Sequence, residues 1–347
     1  MKTMDLVDRK LLNIIQSAFP LVEEPYAEIG RQLGIAETEV LERLKLLRRS
    51  NVVRQVSAIF DTRSLGYLSS LVAVSVSPDR VDEAARIISE HPGVSHNYKR
   101  NNAFNIWYTI AVPPTSSLEA TVQRLHELSG AETTRLMPTL HLFKIGVNLD
   151  MTGEESLVAR GTPQYSQERR EAAQQVPVTD EEIAIIREVQ EDLDIVPAPF
   201  QPMAERLGYT EEELLRKVNE LQGIGHLRRF AAILYHRRAG YAANGMGVWN
   251  VQPDKAIEIG KQMATFNTVS HCYLRPTYPD WPYSVFTMIH GHKVKDCEEI
   301  AKAISETTGI EEYLMLYSTK EYKKIRVRYF TEELEEWEEK YLNEVTV

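Results

Sequence analysis

Thiols, long apolar runs and phosphate-binding glycine motifs are scarce in this sequence of 347 residues, and each shortage excludes a class of protein. Cys272 and Cys297 are the only cysteines, too few for a disulfide framework or a zinc site with four cysteine ligands. No apolar stretch approaches the ~20 residues of a transmembrane helix, and MKTMDLVDRK lacks the apolar core of a signal peptide. We therefore expect a cytoplasmic protein that does not span a membrane.

Nucleotide-binding motifs are also missing. Gly223-Ile-Gly225 and Gly245-Met-Gly247 are not followed by the pattern of a dinucleotide or phosphate loop, so a hydride cofactor is not expected. The net charge of −10 argues against a bulk polyanion as partner, although it leaves room for a local basic pocket.

A tandem repeat dominates what the sequence does contain. Residues 95–100 read SHNYKR and residues 270–275 read SHCYLR, so the string Ser-His-x-Tyr-x-Arg occurs twice. RQVSAIFDTRSLG at 54–66 likewise aligns with RRFAAILYHRRAG at 228–240. Two copies, each long enough for its own core, predict paired domains and an internal pseudo-dimer.

The order of the predicted elements gives an α+β fold. In each half, three short amphipathic helices typical of a helix-turn-helix precede a β-α-β-β-α-β order typical of a ferredoxin-like domain, whose last strand in the first half is predicted over 132–147. The predicted parts are a helix-turn-helix domain (1–60), a ferredoxin-like domain (61–147), a linker (148–178), a second helix-turn-helix domain (179–234), a second ferredoxin-like domain (235–330) and an acidic C-terminal helix (331–347).

Two stretches carry a family resemblance. NVVRQVSAIFDTRSLGYLSSLVAVSV, following a helix-turn-helix, resembles the Lrp/AsnC regulators, which pair two ferredoxin-like sheets and bind small ligands between them. Those regulators usually have a Thr-Gly-x-x-Asp turn where this chain has RNNAF at 100–104 and RPTYPDWPY at 275–283. SHNYKRNNAFNIWYT and SHCYLRPTYPDWPYSVFTMIHG instead resemble the siroheme decarboxylases, Lrp-like enzymes of alternative haem and haem d1 synthesis, with their two homologous subunits fused.

The resemblance implies a carboxy-lyase that removes CO2 from two acetate side chains of siroheme, giving didecarboxysiroheme without oxidation. It implies siroheme as the partner and no cofactor beyond this iron tetrapyrrole, with a bound haem and a homodimer left open. The alternative is an Lrp/AsnC-type transcriptional regulator with a small-molecule or haem effector. The helix predicted over 37–50 is nearly neutral and that over 210–221 is net acidic, which argues against DNA binding.

The candidate site follows from the repeated string. His96 and His271 are candidate acids or iron ligands, with His271 the candidate axial ligand, and Arg100 and Arg275 are expected to hold carboxylates bidentately. His236 and His290 lack histidine counterparts in the first half, and the proline-flanked loop at 278–283 is expected to line a pocket mouth. The candidate substrate-binding residues are Arg54, Tyr98, Lys99, Arg228, Arg229, His236, Tyr273, Tyr278, Trp281, Tyr283 and His290.

Overall fold

The two halves of the chain repeat one order of elements in the computed structural model, which describes residues 4–17, 19–146, 167–234 and 243–342. The first half contains α1 (Leu6–Ser17), α2 (Pro25–Leu33), α3 (Glu37–Arg49), β1 (Val53–Phe60), β2 (Leu68–Ser75), α4 (Val81–Glu90), β3 (Val94–Arg100), β4 (Ile106–Val112), α5 (Leu118–Ser129), β5 (Thr133–Pro138) and β6 (His141–Ile145). The second half contains α6 (Gln167–Gln174), α7 (Asp180–Val189), α8 (Gln201–Leu207), α9 (Glu211–Ile224), β7 (Leu227–Leu234), β8 (Ala243–Trp249), α10 (Ala256–Ala264), β9 (Val269–Leu274), β10 (Val285–Gly291), α11 (Val294–Thr308), β11 (Tyr313–Lys324) and α12 (Glu332–Tyr341).

The three-helix units begin and end where local chemistry requires. Pro25 is the first residue of α2, and Gly34 ends that helix in the left-handed region at φ 70°. Thr210 caps α9, since its Oγ accepts a bond from the amide of Glu213 at 3.2 Å and the Glu213 carboxylate accepts one from the Thr210 amide at 2.8 Å. Both predicted helix-turn-helix units are therefore present.

A two-stranded ribbon joins the two helical units. β1 and β7 pair antiparallel, with Ser57 opposite Ala231. Apolar residues of α3 and α9 pack on this ribbon in one core, represented by Leu44 and Val218, which are 1% and 0% exposed. The two helix-turn-helix units thus share a single core.

The other strands of the described residues form one sheet of nine, in the order β5-β2-β4-β3-β11-β8-β10-β9-β6. Each half contributes a β-α-β-β-α-β unit, as the sequence predicts. The edge strands β5 and β6 are separated in the chain by only Thr139 and Leu140, so the sheet curves back on itself. Its two halves meet in an apolar cluster that includes Trp107, Phe286 and Leu316, which confirms the predicted sheet-to-sheet pairing within the chain.

The prediction of one strand over 132–147 is wrong, because the halves exchange strands. β5 pairs with β2 of its own half, whereas β6 pairs with β9 of the other half. β11 pairs with both halves: Tyr313–Tyr317 pair with β8 of its own half, and Ser318–Lys324 pair with β3 of the first half. Pro138 ends β5 because it has no amide hydrogen for the ladder, and the amide of Leu140 bonds Leu274 O at 2.8 Å instead.

Two helices outside the repeat dock on the halves. Helix α6 lies within the predicted linker, and its Arg170 forms a buried ion pair with Asp61, whose carboxylate oxygen is 3.1 Å from Arg170 Nε. The acidic helix α12 buries Trp337, whose ring centroid lies 4.2 Å from that of His91. Among the described residues, no helix is long and apolar enough to cross a membrane.

Candidate active site

The repeated string places two histidines at the centre of the molecule. In β3, His96, Tyr98 and Arg100 share one face because side chains alternate along a strand. Asn97 occupies the opposite face, where its Nδ2 donates to Ala85 O of α4 at 2.9 Å. In the second half, His271 and Tyr273 of β9 and Arg275, which follows β9, line the same cavity as His96. The His, Tyr and Arg of the repeated string therefore face one cavity in both halves.

Both histidines line two adjoining cavities. The larger, about 850 Å³, lies between the β1–β7 ribbon and the segment that follows β11. The smaller, about 370 Å³, lies between the two halves of the nine-stranded sheet. His96 and His271 belong to the walls of both cavities, so any ligand that occupies the junction would touch both imidazoles.

The surroundings keep both imidazoles neutral. Burial lowers the pKa of His96 to about 4, helped by the charges of Lys324 and Arg54. Burial lowers the pKa of His271 to about 3, helped by Arg228 and by His96 itself. Ser95 Oγ lies 3.0 Å from Nδ1 of His96, and Ser270 Oγ lies 2.8 Å from Nδ1 of His271. Since the serines occupy Nδ1, Nε2 of each ring is the nitrogen that a ligand would meet.

Six cations line the larger cavity beside the histidines, and they are Arg54, Arg228, Arg229, Lys324, Arg326 and Arg328. Arginines of this cluster donate to backbone carbonyls: Arg229 bonds Gln16 O at 2.9 Å and Arg326 bonds Ala58 O at 3.3 Å. Burial lowers the pKa of Arg326 to about 9, and neighbouring arginines, Arg228 first among them, add to the effect.

The two acids that line the same cavity are each paired with an arginine, and one of these arginines, Arg328, lines the cavity too. Glu191 lies 2.6 Å from Arg328, and Asp192 lies 2.9 Å from Arg48. Arg326 has no ion pair with any carboxylate among the described residues. A cavity with several desolvated cations and few competing acids suits a ligand with many carboxylates.

Arg100 and Arg275 form a reciprocal link between the halves. Arg100 donates to Leu316 O of β11 at 2.9 Å, and Arg275 donates to Met137 O of β5. The Arg275 guanidinium also stacks 4.7 Å from the Tyr273 ring centroid. Both side chains line the smaller cavity, and burial lowers the pKa of each to about 10. Their carboxylate-holding role stays a prediction, and the structure adds this link across the halves.

Comparison with known proteins identifies the family. Two copies of an AsnC-like ligand-binding domain match residues 64–144 and 238–323, and two copies of a siroheme decarboxylase NirDL-like helix-turn-helix domain match residues 8–54 and 182–228. A siroheme decarboxylase of Hydrogenobacter thermophilus is 40% identical over 329 residues, covering 94% of this chain and 96% of that protein. The chain belongs to the siroheme decarboxylase family.

Further members of this family are similar in sequence and in fold. A siroheme decarboxylase β subunit of Methanosarcina barkeri is 47% identical over 148 residues, covering 42% of this chain and 97% of that subunit. The crystal structure of the siroheme decarboxylase NirDL in complex with an iron-uroporphyrin III analogue has a TM-score of 0.73 at 34% identity and covers 98% of this chain and 99% of that one. One half of this chain is thus similar to a separate subunit of other family members.

Some of the predicted siroheme-binding residues reach the cavities and others do not. Arg54, Arg228 and Arg229 line the larger cavity, while Tyr98, Tyr273 and His290 line the smaller, as does Arg170 of the linker helix. Lys99 lies on the other face of β3, where it pairs with Lys320 of β11, and it lines neither cavity. The period of two that directs His96 inward directs Lys99 outward. His236 lies outside the described residues.

The proline-flanked loop packs between the halves. Trp281 is 2% exposed and its ring centroid lies 5.2 Å from that of Trp107 in the first half. Tyr278 donates through its hydroxyl to Leu136 O, while Asp280 accepts from Arg135 Nε at 3.0 Å. Tyr278, Trp281 and Tyr283 line neither of the two cavities at the histidines, so their predicted place at a pocket mouth is not supported there. This insertion joins the second half to β5.

Lys324 and Arg326 were not predicted from the sequence as site residues. A signal was present, because KKIRVR at 323–328 is a basic run in an acidic chain. Its position after the repeat concealed its role, and only the pairing of β11 with β3 brings it to the histidines. The partners Ser270 and Asp61 were also missed, since neither residue type is distinctive in isolation.

The helices that would read DNA have much of their positive charge paired. Arg43 of α3 contacts Asp5 and Asp8 at 2.8 Å each, and Lys217 of α9 contacts Glu181 at 2.7 Å. Ion pairs within the protein compete with phosphate contacts, on which non-specific DNA binding depends. The regulator alternative is therefore less well supported than the enzyme.

Proposed function

We propose that this protein is a carboxy-lyase that converts siroheme to didecarboxysiroheme by removing CO2 from two acetate side chains, in alternative haem or haem d1 synthesis. The observation that carries the proposal is the junction of two cavities at His96 and His271, beside a cluster of cations of which five are half-buried. The similarity to siroheme decarboxylases over nearly the whole chain supports the same substrate.

The cations of the larger cavity and the two histidines have different roles in this reaction. The cations of the larger cavity bind peripheral carboxylates of the macrocycle, and they hold the ring against the histidines. Among the described residues, no cluster of His, Cys, Asp or Glu is grouped to hold a metal ion. The iron belongs to the substrate, and one neutral imidazole is sufficient to ligate it axially.

The chemistry requires a proton donor and no net electron transfer. The bond between the acetate methylene and its carboxylate carbon breaks, CO2 leaves, and the electron pair stays on the methylene, which takes a proton and becomes a methyl group. Because electrons balance, we propose no redox cofactor. A histidine that meets the substrate through Nε2 delivers the proton. The carboxylates that arrive with siroheme raise the pKa of both histidines from their low resting values, which favours proton uptake by the ring.

The direct test is anaerobic incubation with siroheme, with the tetrapyrrole followed by mass. We expect two successive losses of CO2. Siroheme that binds and keeps its mass would overturn the proposal, and retention of specific duplex DNA would favour the regulator.

Arg326→Ala tests the cation cluster. Loss of one charge-assisted contact should weaken siroheme binding roughly 10- to 100-fold. The melting temperature of the empty protein should hold or rise, because a buried cation among like charges is removed. Arg328→Ala is the comparison variant: Arg328 also lines the cavity, but it pairs with Glu191 and its side chain is 57% exposed, so its removal should weaken binding less. Equal affinities of the two variants in a spectral titration would contradict the role of Arg326.

A further inference from the structure

A chain of hydrogen bonds extends from His271 to two further side chains of the same half, Ser270 and His290. Nε2 of His290 lies 2.7 Å from Ser270 Oγ, which lies 2.8 Å from Nδ1 of His271. Ser270 and His290 are each 4% exposed. The three groups therefore form a continuous path that ends at the junction of the two cavities.

The first half lacks the last member of this chain. Ser95 Oγ lies 3.0 Å from Nδ1 of His96, which matches the pair in the second half. The position of His290 is occupied by Ala111, as the backbone shows: the Ala111 amide donates to Gly93 O and the His290 amide to Thr268 O, both at 3.0 Å. Both sites have the serine, and only the second has the further imidazole.

We propose that His290 and Ser270 form a proton relay that supplies His271, which makes the second half the proton-donating half of the enzyme. This inference rests on the proposed decarboxylation and deepens it. It assigns His271 to proton delivery rather than to iron ligation.

The step balances as a concerted transfer. Protonated His290 gives its Nε2 proton to Ser270 Oγ, Ser270 gives its hydroxyl proton to Nδ1 of His271, and His271 gives its Nε2 proton to the methylene carbon that CO2 has left. His290 ends neutral. One proton from solvent, taken up at Nε2 of His271 and passed back along the chain, restores the starting state before the second acetate reacts.

The electrostatics of the junction explain why a relay is useful. An imidazolium at His271 would stand among Arg228, Arg229 and Arg275, with His96 close enough to oppose it as well. A neutral imidazole that lost its only proton would become an unstable anion. The relay avoids both states, because His271 gains a proton at Nδ1 while it loses one at Nε2.

Three variants test the relay in the full chain. His290→Gln removes proton transfer, and Ser270→Ala removes the link. Each should lower the single-turnover rate of CO2 loss at saturating siroheme about 100-fold or more, with the Kd for siroheme changed less than about threefold. Ser270→Thr keeps a hydroxyl and should recover most of the rate. Ser95→Ala is the matched control in the first half and should lower the rate far less than Ser270→Ala.

The outcomes separate the relay from the proposed function. Wild-type protein that leaves siroheme unchanged refutes the decarboxylation. A wild type that reacts beside a His290→Gln variant of undiminished rate, or equal losses in Ser95→Ala and Ser270→Ala, refutes the relay alone. If His290→Gln fails to fold, the comparison of Ser270→Ala with Ser270→Thr decides.

A second readout needs no turnover. The 15N shifts of the imidazole rings in the free protein should show His271 unprotonated at Nδ1, and Ser270→Ala should shift that tautomer balance while Ser95→Ala leaves it unchanged. An unaltered His271 spectrum in Ser270→Ala would show that the chain is not coupled.

Discussion

At the scale of single residues, the fold keeps three histidines, His91, His96 and His271, uncharged near neutral pH. Burial lowers the pKa of His91, His96 and His271 to about 3, 4 and 3. His91 lies outside the cavities, where Nδ1 accepts a bond from the Gly93 amide at 2.9 Å. Histidine is therefore a source of acid sensitivity in this protein even away from the site.

The first prediction at this scale concerns pH. Between roughly pH 6.5, the unfolded value, and the folded values near 4 and below, the unfolded chain binds more protons, so stability must fall as pH falls. Each such histidine contributes a slope of up to about 1.4 kcal/mol per pH unit. His91→Gln should flatten the dependence relative to wild type in urea unfolding at pH 7 and pH 5. His292→Gln, at an exposed position, is the control, and equal slopes in all three proteins would contradict the assignment.

At the scale of elements, the same periodicity explains what could be predicted and what could not. His96, Tyr98 and Arg100, spaced two residues apart, share one face of β3, as alternation along a strand requires. Lys99, which was named for its charge, lies on the other face and lines neither cavity. The exchange of β6 and β11 could not be predicted from the sequence. Which strands pair depends on contacts between residues far apart in the sequence, and a local sequence pattern does not contain that information.

The second prediction tests the exchanged strand. Glu321 pairs with Tyr98 across β11 and β3, so Glu321→Pro should destabilise the protein by about 3 kcal/mol and weaken siroheme binding, because Lys324 follows in the same strand. Glu311→Pro makes the same chemical change just before β11 and should be far milder. Chemical unfolding and spectral titration of both variants provide the measurement. Similar stability and similar siroheme affinity in the two variants would mean that the pairing of β3 with β11 contributes little to either property.

At the scale of the whole molecule, the two halves form one sheet and one site. The cavities take their walls from both halves, and the apolar cluster between the sheets includes Trp107 from one half and Trp281 from the other. The repeat in the sequence predicted this pairing. The repeat also showed that His290 has no histidine counterpart in the first half, and the strand register places Ala111 at the equivalent position.

The third prediction divides the chain between β6 and α6 into two polypeptides. Produced together, they should copurify as a one-to-one complex, since each supplies a strand to the other. Produced alone, each should self-associate or aggregate, because β3 or β9 then presents an open edge. Size-exclusion chromatography with light scattering distinguishes these cases. A stable monomeric half would show that the exchanged strands are dispensable.

The exchange of strands between the halves also fixes when the nine-stranded sheet can be completed during translation. β3 leaves the ribosome long before Ser318–Lys324, its neighbour in the finished sheet, has been translated. At ordinary elongation rates the interval is roughly 10 to 45 s. A separate partner subunit would have to be found by diffusion during that time. Here the missing strand arrives on the same nascent chain, so one messenger RNA fixes both the ratio of the halves and the identity of each partner.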